Sequence, residues 1–176
     1  MEARHSQAIG TFGPGRLNAA MNPLDGEIRG GKHHQPVRIY YEDTDFSGIV
    51  YHASYLRFME RGRTNYLRLI GADHRALFEA TAAEAPGFSF VVRHMGIDFR
   101  KPAFMDDVLD VVTTPEEVKG ASVMLNQKVM RGEDLIVEAH VQVAFVSAGR
   151  AKPIPKPLRI AMQADQEAGG ATPAPL

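Results

Sequence analysis

Two carboxylates lie close together in one loop of this sequence. Asp43 and Asp45 fall in the stretch DTDFSGIVYHA (43–53), between a short strand-like segment and a long helical pattern. An ionised carboxylate in a cleft can attack a carbonyl or activate water, and free N–H groups at a helix start can hold the developing oxyanion. Gly48 would let the backbone approach a ligand closely. Asp is also common in ordinary turns before helices, so spacing alone leaves both interpretations open.

Other chemistries are excluded or disfavoured by what the sequence lacks. It contains no GxSxG, GxxxxGK[ST] or GxGxxG motif and no HExxH zinc motif. Cysteine is absent, which excludes disulfides, thiolate metal ligands and a cysteine nucleophile. His33 and His34 lie in a segment predicted to be disordered, which disfavours a metal role. We therefore expect no metal site and no cofactor.

The charge balance and the N-terminus indicate the class and location of the protein. A formal net charge of -1 argues against a general nucleic-acid or membrane-surface binder. No apolar run approaches the roughly 20 residues that span a bilayer, and the N-terminus lacks the apolar core of a secretory signal. We expect a cytoplasmic protein with no nucleic-acid partner and no membrane insertion.

The elements that must position the loop follow from the periodicity of the chain. PVRIYYE (36–42) predicts a strand, and a helix is predicted from a Ser54 cap to Ile70 with Gly71 as its stop. Apolar side chains fall on one face of this helix, where Gly62 indicates a close backbone contact. A shorter helix is predicted over 73–83.

Four strand-like segments follow with no long helical pattern between them. They cover residues 88–100, 107–118, 122–131 and 135–147. This order predicts an α+β domain in which one antiparallel sheet buries the apolar face of one long helix. Composition predicts disorder over residues 1–35 and 159–176, so the folded domain is expected to span residues 36–158.

A resemblance to a known family sharpens this picture. The residues Arg38-Ile39, Thr44-Asp45 and GIVYH (48–52) resemble the signature of the 4-hydroxybenzoyl-CoA thioesterase family. The longer runs YYEDTDFSGIVYHASYLRFMERGRT (40–64) and FVVRHMGIDFRKPAFMDDVLDV (90–111) are similar to its Tol–Pal-associated, YbgC-type branch. The resemblance covers about residues 36–157. It implies a hotdog fold, with about five strands wrapped around one long helix, in dimers that commonly form tetramers with active sites at the dimer interface.

The resemblance also implies roles for individual residues in the hydrolysis of short- to medium-chain acyl-CoA. Asp45 matches the family's catalytic carboxylate, as nucleophile or general base, and the His52 N–H matches the donor that polarises the carbonyl. The His52 side chain is a further candidate, with capping or interface packing as its alternative. Tyr41 and Tyr51 are candidates for the acyl pocket or for ordinary core packing. Lys119 is a candidate for the CoA phosphates, or simply a solvated surface charge.

Several alternatives stay open on sequence grounds. The substrate could be 4-hydroxybenzoyl-CoA or an acyl group on acyl carrier protein. A scaffold associated with the Tol–Pal envelope system is a different class of function, although a pure scaffold would not need Asp45. A hotdog dehydratase is disfavoured, because no hydratase motif is present. Glu60 on the long helix offers a second carboxylate, but we expect it to form a structural ion pair.

Overall fold

The computed structural model describes residues 23–72, 79, 83, 85 and 87–170. Within them, seven strands form one antiparallel sheet that is accompanied by two helices. The strands are β1 (Glu27–Arg29), β2 (Lys32–Arg38), β3 (Ser89–Phe99), β4 (Val108–Val118), β5 (Ser122–Arg131), β6 (Asp134–Ser147) and β7 (Arg150–Ala151). The helices are α1 (His52–Ala72) and α2 (Lys156–Ala168), and short 3-10 turns cover Pro23–Asp25 and Tyr41–Asp43. The strand order is β1-β2-β4-β5-β6-β3, with β7 paired to β6.

The long helix α1 packs against the sheet through one apolar face. Its buried side chains are Tyr55, Phe58, Met59, Tyr66 and Ile70. Burying each of these large side chains contributes about 1.5–3 kcal/mol to folding. The predicted close contact at Gly62 is confirmed, because a Cβ there would lie 3.1 Å from Val111 Cγ1 and 3.2 Å from Thr113 Oγ1. The opposite face of the helix carries exposed arginines, namely Arg57, Arg61 and Arg68.

The antiparallel register defines two ends of the sheet that matter for the site. At one end, Phe99 pairs with Val137, and β5 meets β6 at Arg131 and Asp134. We call this the Phe99 end. At the other end, β4 turns into β5 around Lys119, and we call this the Lys119 end. The helix α1 begins at the Phe99 end, where the Tyr55 and Phe99 rings lie 5.9 Å apart.

The predicted α+β architecture is confirmed, as are the four strands after the helix. Their bounds differ from the predicted ones by one residue or less, and buried positions recur along β4, β5 and β6. The predicted helix over 73–83 falls mostly on residues outside the described ranges. Residues 1–22 and 171–176 of the predicted tails (1–35 and 159–176) also lie outside the described ranges.

The ordered part of the domain is wider than predicted. Strands β1 and β2 lie almost wholly before residue 36, and α2 extends past residue 158. The predicted strand over 36–42 is therefore wrong in its bounds, since β2 ends at Arg38 and a 3-10 turn follows. The predicted disorder around His33 and His34 is also wrong. His33 is buried in β2 and donates from Nε2 to the Asp25 carbonyl at 2.8 Å.

The limits of α1 also differ from the prediction. The helix begins at His52, so Ser54 lies inside its first turn and does not cap it. Gly71 continues the helix, which ends at Ala72 among the described residues. Within the part of the chain that the structure describes, no helix is long and apolar enough to cross a membrane.

Candidate active site

The loop that carries both aspartates is tied to the Phe99 end of the sheet at each of its ends. Ile39 donates its N–H to the Asp107 carbonyl, and Val50 donates to the Ala103 carbonyl, each at 2.9 Å. The loop then closes on itself, because Thr44 and Val50 form an antiparallel bridge. The loop is therefore short, is held by backbone hydrogen bonds at both ends and across its middle, and leads directly into the start of α1.

The two aspartates of this loop have different environments. Asp43 is buried, and its carboxylate accepts the Tyr40 N–H at 3.0 Å. Its main-chain carbonyl accepts the Tyr51 N–H at 2.9 Å and the Ser54 hydroxyl at 3.1 Å. Asp43 is therefore a structural residue that joins the loop to α1. The turn interpretation holds for Asp43, and Asp45 is left as the carboxylate available for chemistry.

Asp45 is exposed to solvent in the single chain and is held ionised by Ser47. The Ser47 hydroxyl donates to Asp45 Oδ1 at 2.5 Å, and the Ser47 N–H donates to the same oxygen at 2.8 Å. These hydrogen bonds, the hydroxyl first, lower the pKa of Asp45 below its ordinary value of 3.8. The second carboxylate oxygen has no donor among the described residues and faces outward. Such a group can act as a nucleophile or a general base at neutral pH.

Gly48 serves the loop through its backbone conformation. Its φ is +78°, in the left-handed region, and no atom lies within 4 Å of where a Cβ would stand. The Gly48 N–H donates to the Asp45 carbonyl at 3.0 Å, while the Asp45 N–H donates to the Ile49 carbonyl at 2.9 Å. The glycine is therefore needed to turn the chain tightly around Asp45 and not to make room for a packed neighbour.

The start of α1 provides hydrogen-bond donors with no partner. In the described part of the molecule, the N–H groups of His52 and Ala53 have no acceptor, whereas the neighbouring Tyr51 and Ser54 amides are both bonded. Free amides of this kind carry the positive end of the helix dipole. Given the bridge between Thr44 and Val50, the His52 amide lies on the order of 10 Å from the Asp45 backbone. One thioester group and the Asp45 side chain can fill that distance.

Aromatic side chains surround the His52 end of the helix. The exposed His52 ring lies 4.3 Å from the Tyr51 ring and 6.5 Å, edge to face, from the Phe99 ring. Tyr51 is 46% exposed and Tyr41 is 83% exposed. The alternative that Tyr41 packs in the core is therefore wrong within one protomer, and Tyr51 is only half-buried. The structure brings His52 and Tyr51 together and adds Phe99, whereas Tyr41 stands apart on the 3-10 turn before Asp45.

Two other candidate residues lie away from the Asp45 loop. Glu60 forms the expected ion pair with Arg63, whose guanidinium also donates to Gln127 Oε1 at 2.6 Å. Lys119 forms an exposed ion pair with Glu117 at 3.0 Å. It stands at the far end of β4, roughly 35 Å along the strand from the loop. One protomer does not bring Lys119 to its own Asp45.

Sequence reasoning missed two residues and one contact of this region. Ser47 follows Asp45 by two positions, which is a recognised signal for a side-chain turn that was available in the sequence. Phe99 reaches the site only through the register of β3, and no local pattern indicates it. The tie between Ser54 and Asp43 likewise depends on the fold. The described residues contain no cluster of three or more His, Asp or Glu side chains suited to a metal ion.

Comparisons with known proteins place this chain in a family. The model of the thioesterase-like superfamily matches residues 40–162. The chain is 43% identical over 125 residues to the acyl-CoA thioesterase YbgC of Haemophilus influenzae, covering 71% of this chain and 88% of that protein. It is 40% identical over 132 residues to the acyl-CoA thioester hydrolase YbgC of Escherichia coli, covering 74% of this chain and 94% of that protein.

A solved structure supports the same assignment. The probable thioesterase from Bartonella henselae is 37% identical and superposes with a TM-score of 0.58, covering 70% of this chain and 98% of that chain. The family match includes the Asp45 loop, α1 and all of the strands β3 to β7. The chain therefore belongs to the thioesterase-like superfamily of hotdog-fold enzymes, in the branch that contains the YbgC acyl-CoA thioesterases.

Proposed function

We propose that this protein hydrolyses short- to medium-chain acyl-CoA thioesters to the free acid and CoA, with Asp45 as the reacting carboxylate. The observation that carries the proposal is the pairing of two groups on one braced loop. An exposed carboxylate with a lowered pKa stands next to a helix start whose first amides are free. The YbgC relatives are named for acyl-CoA thioester hydrolysis, which supports the same substrate class. No cofactor beyond the CoA of the substrate is required.

In the proposed reaction the thioester carbonyl oxygen accepts the His52 N–H. Negative charge builds on this oxygen as the carbonyl carbon becomes tetrahedral, and the helix dipole favours that charge. One such donor stabilises the transition state by roughly 3 kcal/mol. The neighbouring Ala53 amide, which is also free among the described residues, lies one position further into the same turn. The oxyanion would therefore be stabilised by the dipoles of two backbone N–H groups that are already in place before the reaction.

Asp45 can complete the reaction by two routes. As a nucleophile, it forms an acyl–Asp45 anhydride and expels CoA thiolate, and water then cleaves the anhydride. As a general base, it takes a proton from water while the water oxygen attacks the carbonyl, and the departing thiolate recovers that proton. Label in the Asp45 carboxyl group after a single turnover in H2(18)O would establish the nucleophilic route, because the general-base route never bonds the water oxygen to Asp45.

We further propose that the working site lies between two protomers. Among the described strands, β3 pairs only with β6, so its outer edge is free. The residues Val91, Val92 and Phe99 on β3 are 42–50% exposed, and Phe46 in the Asp45 loop is fully exposed. A free strand edge with apolar side chains is suited to pairing with another strand. Sedimentation at micromolar concentration should give a dimer or a larger assembly, and a monomer would contradict the proposal.

Such a dimer gives Lys119 a role that one protomer cannot. If two β3 edges pair antiparallel, the Lys119 end of one protomer lies beside the Phe99 end of the other. Lys119 would then lie on the same side as the partner's Asp45 loop, where the phosphates of bound CoA would extend out of the site. Its ion pair with Glu117 is exposed, so exchanging that partner for a phosphate costs little.

The experiment that tests the proposal is Asp45→Asn in a thiol-release assay across aliphatic, aromatic and carrier-protein-bound acyl thioesters. Loss of the carboxylate should lower kcat by about 10²–10⁴-fold, the usual contribution of a positioned base. Glu60→Gln is the matched control, because it removes another exposed carboxylate on the adjoining helix and should keep wild-type kcat. Near-normal turnover by Asp45→Asn would refute the mechanism, and loss of activity in Glu60→Gln would move the chemistry to α1.

A further inference from the structure

The hydroxyl of Ser54 is a buried polar group that donates its hydrogen bond to a residue outside its own helix. The side chain is fully buried in the first turn of α1. Its Oγ accepts the Arg57 Nη2 donor at 3.2 Å and lies 3.1 Å from the Asp43 carbonyl oxygen. A guanidinium can only donate, so the hydroxyl proton must point at the Asp43 carbonyl. The sequence predicts Ser54 as a helix cap, and its bond instead reaches back eleven residues.

The Asp43 carbonyl is the point at which the start of α1 and the loop meet. It accepts the Ser54 hydroxyl and also the Tyr51 N–H, at 2.9 Å. Both lone pairs of the carbonyl oxygen are therefore used by donors from the helix start. Asp43 is fixed on its other side as well, because its carboxylate holds the Tyr40 N–H. The residue two positions before Asp45 is thus anchored to the residues on either side of His52.

We propose that Ser54 is a positioning residue for thioester hydrolysis, whose hydroxyl sets the distance between the Asp45 carboxylate and the His52 N–H. This inference rests on the function proposed above. The two reacting groups belong to different elements, the loop and the helix. The Ser54–Asp43 bond and the Tyr51–Asp43 bond both span them next to the site. Without the Ser54 bond, Asp43 keeps only the Tyr51 bond to the start of α1, and the loop is less firmly held there.

The expected cost follows from the sensitivity of catalysis to geometry. A misplacement of about 1 Å between reacting groups lowers the rate by about 100-fold. The Tyr51–Asp43 bond and the Thr44–Val50 bridge remain when Ser54 changes, so the loop should shift only in part. We therefore expect kcat to fall about 10- to 100-fold, with KM within about twofold of wild type. Ground-state binding is spared because Ser54 is buried and does not touch the substrate.

The test is a pair of variants that differ only in the hydroxyl. Ser54→Thr keeps it, and Ser54→Val has the same shape without it, so both impose the same crowding in the buried site. The Thr variant should retain kcat within about threefold of wild type, and the Val variant should show the 10- to 100-fold loss. KM, and the Kd for a non-hydrolysable thioether analogue of acyl-CoA, should be alike in the two proteins. Ser54→Ala, which adds no bulk, should lose kcat as the Val variant does.

Equal kcat in the Thr and Val variants would overturn the positioning role, as would wild-type kcat in Ser54→Ala. A purely structural role would lower the melting temperature of the Val variant and leave the kcat of its folded fraction unchanged, which also overturns the proposal. Asp45→Asn, assayed alongside, separates the positioning role from the proposed function. If it remains active, the proposed function fails. If it is inactive while Ser54→Val is fully active, only the positioning role fails.

Discussion

Replacing Gly48 with alanine tests whether the backbone of the Asp45 loop has to turn through the left-handed region. Gly48 has a φ of +78° and no atom within 4 Å of where a Cβ would stand, so Gly48→Ala adds strain and no clash. An L-residue in this region costs about 1–2 kcal/mol. For a chain of this size that corresponds to a fall in Tm of about 2–8 °C. The Gly48 N–H also braces the Asp45 carbonyl, so relief of the strain must move Asp45.

Gly132 is a matched control for this change. It lies in the turn between β5 and β6 with a φ of +58°, and it too has nothing within 4 Å of a Cβ. Gly132→Ala should therefore cost a similar 1–2 kcal/mol, but it should leave kcat at the wild-type level. Gly48→Ala should lower kcat about tenfold or more, since part of the strain is relieved by displacing the carboxylate. Gly48→Asn should lie between, because Asn tolerates the left-handed region.

The assays are a thermal melt at fixed protein concentration and steady-state thiol release on the same samples. Fixed concentration is needed because dissociation of an oligomer shifts Tm by mass action. The reasoning is refuted if Gly48→Ala and Gly132→Ala have the same kcat. It is also refuted if neither variant changes Tm, since the positive φ values would then cost nothing.

Two further predictions concern groups with displaced pKa values. Ser47→Ala removes the hydroxyl that contributes most to the low pKa of Asp45, so that pKa should rise toward 3.8. A carboxyl-carbon NMR titration of Asp45 checks this. Thr44→Val is the control, because the Thr44 hydroxyl bonds the Tyr41 carbonyl and not Asp45. Burial lowers the pKa of His33 below 6.5, so the unfolded chain binds the extra proton and stability should fall as pH drops below about 6.5. His33→Gln should flatten that fall, as measured by Tm at pH 7.5 and 5.5, and an unchanged slope would exclude His33 as its source.

The strands from β4 to β6 could be predicted because their buried positions follow the pattern of apolar residues in the sequence. The strand β2 could not, although its burial also alternates. Two of its buried positions are polar. His33 donates from Nε2 to the Asp25 carbonyl, and Gln35 Oε1 accepts from Asn65 Nδ2. These partners lie 8 and 30 residues away in the chain, so a local hydrophobicity pattern reads the strand as a polar tail. Gly30 and Gly31 at the preceding turn also favour a tail over a strand.

The helix α2 was missed for a related reason. Proline-rich sequence precedes it, and only Leu158 and Met162 of its residues are buried. Two apolar side chains four residues apart are too few to distinguish a docked helix from a tail. A polar contact anchors its far half, where the Tyr66 hydroxyl on α1 donates to Asp165 Oδ2 at 2.9 Å. That contact spans 99 residues and exists only in the folded chain.

At the site, the sequence could name the two carboxylates but could not tell them apart. Asp43 and Asp45 are two residues apart and share one loop, and their roles separate only through burial. Asp43 faces inward, and both its carboxylate and its carbonyl are used by neighbouring backbone and side-chain donors. Asp45 faces outward with one oxygen bonded to Ser47. Asp43 thus fixes the loop in place, and Asp45 keeps one carboxylate oxygen without a donor among the described residues.

The exposure of Asp45 in a single chain also bears on how the site must work. A carboxylate in bulk water is well solvated and is a weak nucleophile and base, and exclusion of water strengthens every electrostatic contact around it. The described part of one protomer offers no cover for Asp45 and leaves the Phe46, Tyr41 and Phe99 side chains half or more exposed around the same end of the sheet. Covering these side chains with a second protomer would bury apolar surface and remove water from the carboxylate in one step. The energy that forms the assembly would then also create the environment in which Asp45 reacts.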